Sequence, residues 1–168
     1  MKRILVMSDT HGNQVFLRQV CQMEEYEVLF HLGDDYSDLN ENDDLTDHKM
    51  VIRVPGVMDH VTRSGSVDLI QHVTIENWRF QLVHRQEDEE MIFPLDHVIL
   101  FGHTHHPVHF FRNKILYANP GHLKSTHHRN HHASYMLITL DDNILNIEWK
   151  DHKGIIFDRY SATRAEWN

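Results

Sequence analysis

The sequence predicts an α/β fold in which two β-sheets pack together with helices outside. Three observations carry that expectation. Four short continuous apolar runs, Ile4–Met7, Val28–Phe30, Met50–Ile52 and Val98–Phe101, suit parallel strands buried on both faces. After the first run, Phe16, Leu17, Val20 and Cys21 recur at helical spacing. From about Ser66 onward the pattern becomes an alternation of apolar and polar residues around tight turns, as antiparallel hairpins require.

Taken in chain order, Ile4–Met7 is a strand and Ser8-Asp9-Thr10-His11-Gly12 is a polar turn at its carboxyl end. Asn13 caps the helix that follows, completing a βα unit. The next two runs each lead to glycine and aspartate, in Gly33-Asp34-Asp35 and Gly56-Val57-Met58-Asp59. The acidic stretch Asp34–Asp47 reads as a solvated loop or a short helix, and Glu87–Glu90 reads the same way. Val73 and Ile75 lead through a Glu76-Asn77 turn into Trp78, Phe80 and Leu82, a half-buried hairpin. Val98–Phe101 ends in Gly102-His103-Thr104-His105. A second hairpin joins Tyr135–Leu140 to Ile144–Trp149 through Asp141-Asp142-Asn143.

With 168 residues, 40% of them hydrophobic, and only 7 glycines and 4 prolines scattered along it, the chain reads as one domain over 1–168. A net charge of −9 and the lack of a basic track with interleaved aromatics argue against binding long nucleic acid. The first apolar stretch is stopped at once by Ser8 and Asp9, far short of a signal-peptide core or a membrane span, so no membrane and a cytoplasmic location are expected. Cys21, the single cysteine, sits within the helical apolar stripe and reads as a core thiol. The outstanding count is 17 histidines, because histidine is the commonest metal ligand.

In open α/β sheets, ligands sit beyond the carboxyl ends of the strands, which is where these polar residues gather. If the backbone stays extended there, Asp9 and His11 point to one side, as do His103 and His105. Residues two apart then lie roughly 6 to 7 Å from each other, so each pair reaches two ions about 3.5 to 4 Å apart. Asp34 supplies a bridging carboxylate, and His84 follows the strand Phe80–Val83. A lone histidine is ordinarily a hydrogen-bonded core or surface group, and an aspartate after a strand is ordinarily a turn residue. Six ligand-type residues at four strand ends on the ligand-binding edge outweigh that ordinary reading. Mixed nitrogen and oxygen donors suit manganese, iron, zinc or nickel, whereas calcium and magnesium favour oxygen.

Ser8-Asp9-Thr10-His11-Gly12, Gly33-Asp34, Gly56-x-x-Asp59, His84, Gly102-His103-Thr104-His105 and Asn119-Pro120-Gly121 together resemble the ordered motifs of the calcineurin-like metallophosphoesterases. More narrowly, they are similar to the small phosphodiesterases of the YfcE type. The resemblance implies a four-layer α-β-β-α sandwich of two mixed sheets with a dinuclear metal centre. It assigns Asp9, His11 and His105 to the first ion, His84 and His103 to the second, and Asp34 to a bridge. It further implies two divalent transition-metal ions, manganese first among them, and a water or hydroxide that attacks phosphorus in line.

The chain departs from the family pattern at several positions. Val57 stands where the family has a ligating asparagine, so the second ion is expected to be held more weakly, with Asp59 as a candidate replacement. Met58 cannot donate a proton to the leaving group, which passes that role to His60, His106, His122 or solvent. Catalytic candidates are therefore Asp34, His122 and Asp59, and substrate-contacting candidates are Arg85, His106 and Asn119. Arg85 reads equally as a phosphate clamp or as a surface arginine. His127, His128, His131 and His132 flank Arg129 in a loop that reads as a metal buffer or as a solvated segment without enforced ligand spacing.

Two functions from different classes compete. One is a metal-dependent phosphodiesterase acting on a small phosphoester. The other is a catalytically weakened scaffold that binds partners, as in the retromer subunit resembling this family, and Val57 and Met58 lean towards it. A metal store or sensor is a third reading and predicts more than two ions per chain. A second copy of the chain stays open as a partner.

Overall fold

The apolar runs become strands in a computed structural model that describes residues 1–88 and 97–167. In chain order the elements are β1 (Lys2–Met7), α1 (Gln14–Met23), β2 (Val28–His31), α2 (Asp43–Thr46), β3 (Met50–Arg53), α3 (His60–Ser64), β4 (Ile70–Ile75), β5 (Trp78–Val83) and β6 (Val98–Phe101). They continue as β7 (Val108–Arg112), β8 (Ile115–Asn119), β9 (His127–His128), β10 (His131–His132), β11 (Ser134–Leu140), β12 (Ile144–Asp151) and β13 (Ile156–Thr163).

Two mixed sheets result, one ordered β13-β12-β11-β1-β2-β3 and the other β4-β5-β6-β8-β7. The parallel trios β1-β2-β3 and β5-β6-β8 carry the apolar runs, and antiparallel strands extend both sheets. The runs in β1, β2 and β6 are buried, but β3 is an edge strand, so Met50 is 52% exposed and Val51 and Ile52 are only half-buried. Strand alternation divides the side chains between the faces. Ile4, Val6, Phe30, Met136 and Ile138 of the first sheet meet Phe80, Leu82, Leu100 and Leu116 of the second in the main core. Each such buried side chain stabilises the fold by about 1.5–3 kcal/mol. Leu5 and Met7 turn outward and pack on Leu17, Val20 and Cys21 of α1. The Asn13 side chain accepts the Phe16 N–H at 3.2 Å and caps that helix. Cys21 is buried, and burial pushes its thiol up to about 11, as befits a core residue.

The helices outside the sheets are few, since α2 and α3 have four and five residues against ten in α1. The acidic stretch folds as a 3₁₀ turn at Asp38–Glu41 followed by α2, and part of it is a brace rather than a solvated surface. Asp38 accepts the Gly12 N–H at 3.2 Å and the Gln14 side-chain amide at 2.9 Å. Within the second acidic stretch, Gln86–Asp88 is a 3₁₀ turn, while Glu89 and Glu90 lie outside the described residues. The histidine-rich segment is a regular hairpin, β9–β10, because Arg129 and Asn130 take φ of 48° and 64°, the geometry of a tight two-residue turn. No helix of the described residues is long and apolar enough to cross a membrane.

Candidate metal centre

The carboxyl ends of both parallel trios meet on one rim. Asp9 N donates to Gly33 O at 2.8 Å and His11 N to Asp34 O at 3.0 Å, stitching the loop after β1 to the loop after β2. Gly102 N donates to His84 O at 2.9 Å, joining the ends of β5 and β6. The backbone there is not extended. Asp9, His11, Asp34, His103 and His105 have φ of 53°, 47°, 43°, 65° and 63°, all in the left-handed region that L-residues avoid. Such strain persists where the surroundings over-determine it, which is typical of functional sites.

This backbone redistributes the pairs. Asp9, His11 and His105 form one set of ligand atoms, and Asp34, His84 and His103 form another, each within 4.8 Å mutually. Asp9 and His11 therefore share one set, while His103 and His105 divide between the two. In the first set His105 Nε2 lies 3.0 Å from Asp9 Oδ1, and His11 Nε2 lies 3.3 Å from His105 Nε2. In the second, His84 Nε2 lies 3.4 Å from Asp34 Oδ2. The same Asp34 oxygen is 3.8 Å from His11 Nε2 and so stands between the sets.

Two of the ligands, Asp9 and His84, are aimed by further contacts. Asp9 Oδ2 accepts Ser8 Oγ–H at 2.6 Å and the His103 N–H at 2.9 Å, which leaves Oδ1 for the centre. His84 Nδ1 donates to Leu32 O at 2.6 Å, so the lone pair sits on Nε2 when the ring is neutral. Burial lowers His11 and His103, keeping both rings neutral and able to ligate. Burial opposes charge on Asp34 and His84 as well, but each outweighs it for the other, so the carboxyl is lowered and the imidazole raised. Glycine is required at two close approaches. A Cβ on Gly56 would land on the Asp34 carboxylate, and one on Gly102 would meet Ser8 Oγ and come within 2.8 Å of Asp9 Oδ2.

A pair of cations fits this arrangement. Asp9 Oδ1, Asp34 Oδ1 and His84 Nε2 are buried atoms with no hydrogen-bond partner, and each such orphan costs about 1–3 kcal/mol unless something satisfies it. The two carboxylates and four imidazoles have the donor chemistry of a transition metal.

The other sequence candidates fall in different places. Asp59 does not join the ligands, because its Oδ2 accepts the Gly56 N–H at 2.6 Å and its Oδ1 the Tyr36 N–H at 3.1 Å. It braces the loop that carries Val57. Asn119 is likewise buried and committed, donating to Gly102 O at 2.8 Å and accepting the Gly121 N–H at 2.8 Å, so it shapes the His103–His105 loop instead of meeting substrate. His122 is fully buried, contacts the His131 carbonyl at 3.2 Å through Nε2, and is pushed down to about 4 by burial, so it is a neutral interior group and no leaving-group acid. His106 is exposed, with its ring stacked 4.2 Å from that of His131. Val57 and Arg85 line one small cleft together with His84.

Three contributors escaped the sequence reading. His31 is fully buried at the end of β2. It accepts the Gly33 N–H through Nδ1 at 3.3 Å and donates from Nε2 to Thr10 Oγ1 at 3.2 Å, tying two ligand loops together. Burial pushes it down to about 4. Its position directly after an apolar run was the available signal. Arg129 donates to His103 O at 3.3 Å, and Asn13 Nδ2 holds the Lys124 main-chain carbonyl at 3.1 Å, with the Lys124 charge close enough to His11 to help lower it, so two cations stand at the rim.

A family model described as the calcineurin-like phosphoesterase superfamily domain matches residues 1–143. The chain belongs to this superfamily. Similar solved structures support the superfamily fold over nearly the whole chain. The YfcE phosphoesterase of E. coli is 23% identical with a TM-score of 0.69, covering 94% of this chain and 98% of that one. An uncharacterized protein of Streptococcus pneumoniae, described as a predicted phosphoesterase, is 21% identical with a TM-score of 0.72 over 97% and 98% of the two chains. Vps29 of Entamoeba histolytica complexed with zinc is 19% identical with a TM-score of 0.70 over 99% of both. Among curated protein sequences none matches significantly.

Proposed function

We propose that this superfamily member is a metal-dependent phosphodiesterase that hydrolyses a small phosphoester. The observation that carries the reading is the pair of ligand sets joined at Asp34, with buried donor atoms left unsatisfied in both. Asp9, His11 and His105 would hold one ion, and Asp34, His84 and His103 the other. Bound there, divalent ions would lower the pKa of water and neutralise phosphoryl charge. The chain's own residues do the rest. Ser8 and the His103 N–H hold the Asp9 carboxylate, and Leu32 O fixes the His84 ring. Arg129 and Lys124 set positive charge at the rim, where they bind the non-bridging oxygens of the phosphoester. His60 and His106 are exposed while His122 is buried, so the proton for the leaving oxygen comes from one of the exposed imidazoles or from water.

A scaffold role is the second reading, favoured by one observation. Val57 and Met58 are 37% and 69% exposed on the loop beside His84, where they offer apolar surface and no ligand atom. One experiment separates the two. Metal content of protein purified without added metal is measured beside hydrolysis of bis(p-nitrophenyl) phosphate with manganese. Two ions per chain with metal-dependent turnover support the hydrolase. One ion or none, with no turnover under any metal, supports the scaffold.

A further inference from the structure

Apart from the candidate centre, a groove of about 390 Å³ is lined by Pro107, His131, His132, His152, Ile155 and Phe157, with Asn130, Asp151 and Lys153 among its polar residues. Chain topology puts it on the same rim. β11 runs antiparallel to β1 and begins at the carboxyl end of β1, where Val6 pairs with Met136. β12 returns to that end, where Met136 pairs with Trp149, so the turn 151–155 rises beside the ligand loops. Pro107 follows the ligand His105 by two residues, and the His106 ring stacks on His131 at 4.2 Å and 20°. That stacked pair joins the loop after His105 to the β9–β10 hairpin that lines the groove.

The groove is built, not incidental. Asp151 Oδ1 accepts the N–H groups of Lys153 and Ile155, both at 2.9 Å, and Gly154 takes the left-handed φ of 84° that closes the turn. His152 stacks on Phe16 of α1 at 4.7 Å, and its carbonyl accepts from Gln19 at 2.9 Å. On this frame Ile155 and Phe157 stay 62% and 52% exposed. Ile155 on this turn and Phe157 on the following strand β13 thus present neighbouring apolar surface to the groove. Burial, with His106 and His127 adding to it, lowers His131, so its ring presents a neutral π-face.

We infer that this groove receives the leaving group of the phosphoester, and that this group carries a flat aromatic ring of the nucleobase kind. The inference rests on the phosphodiesterase reading. His131 and Phe157 supply aromatic faces, Ile155 and Pro107 supply aliphatic walls, and Asn130 and Lys153 supply hydrogen-bonding groups for a ring edge. The volume is in the range of small-molecule sites, about 300–1,000 Å³. Hydrolysis would add water across the P–O bond, the water oxygen staying on phosphorus and a proton passing to the leaving oxygen, and the freed nucleoside would depart along the groove.

Calorimetry on manganese-loaded protein tests this with two probes, inorganic phosphate and adenosine 5′-monophosphate. The nucleotide is expected to bind about tenfold tighter than phosphate or better, the contribution of one stacked base. Phe157→Ala, an exposed position whose fold is checked by circular dichroism, should remove that advantage while phosphate affinity and metal content stay unchanged. If phosphate binds and a diester is hydrolysed, but the nucleotide binds no tighter or Phe157→Ala leaves its affinity unaltered, the subsite is overturned and the phosphodiesterase reading stands. If neither probe binds and no turnover occurs, both fall.

Discussion

Asp34→Asn should disable both ligand sets at once, because one oxygen of that carboxylate serves the two. The substitution keeps the shape and removes the charge. Asp34 Oδ2 is 3.4 Å from His84 Nε2 and 3.8 Å from His11 Nε2. A unit charge at about 4 Å is worth roughly 4 kcal/mol at an effective dielectric of about 20, which is roughly a thousandfold in metal affinity. Both ions should show it, in contrast to His84→Ala, which touches the second set alone. Manganese titration by calorimetry with parallel elemental analysis provides the readout, and Asp35→Asn is the control that changes charge next door without removing a ligand. Two ions bound with wild-type affinity in Asp34→Asn would refute the bridging geometry.

The remaining predictions concern the frame around the centre. Gly56→Ala should displace the Asp34 carboxylate and weaken the binding of both ions while Gly65→Ala, whose Cβ meets nothing within 4 Å, should leave metal content intact despite its strained φ of 64°, as elemental analysis will show. Val57→Asn should raise second-site occupancy and turnover, and unchanged values of both would mean that position 57 does not reach the ion. Arg129→Gln and Lys124→Gln should each raise KM several-fold with little change in kcat or bound metal, since both stand at the rim and neither is a ligand. His31 is held neutral, well below its ordinary 6.5 at about 4, so the unfolded chain takes up its proton first as pH falls. Stability should therefore be full above pH 6.5 and decline towards pH 4 by on the order of 3 kcal/mol. Urea unfolding at pH 7 and pH 5 measures this, and an equal decline in His31→Gln would assign it elsewhere.

Much of this was legible in the chain because apolar runs and ligand-type residues signal by composition. Val28–Phe30 and Val98–Phe101 could hardly be anything but buried strands, and the polar residues after them had to emerge on the ligand-binding edge. What stayed hidden depends on backbone conformation and on contacts distant in sequence. Nothing local marks Asp9 or His105 as left-handed, so extended geometry misassigned the pairs between the sets. Asp59 and Asn119 carry the right chemistry, but their polar atoms are spent on the N–H groups of Gly56, Tyr36 and Gly121 and on the Gly102 carbonyl. Strands β7, β8 and β13 escaped because their pairing partners, not their own alternation, define them.

Strain and unsatisfied donors bear on whether the centre is used or is a relic. Five of the six ligand residues take left-handed φ, at roughly 1 to 2 kcal/mol each, and three buried donor atoms in the same place lack partners. Together these costs rival the whole net stability of an ordinary domain, about 5–15 kcal/mol. A surface that served only to dock a partner would gain nothing from them, and replacing Asp9, Asp34 and His84 by apolar residues would remove the unsatisfied atoms. Bound cations would offset them directly, because their coordination would exist in the folded chain and not in the unfolded one. Val57, exposed beside His84, offers the second set no ligand atom, yet the strained frame is whole. That combination suits a centre whose second ion is held loosely and exchanges, rather than one that has gone silent.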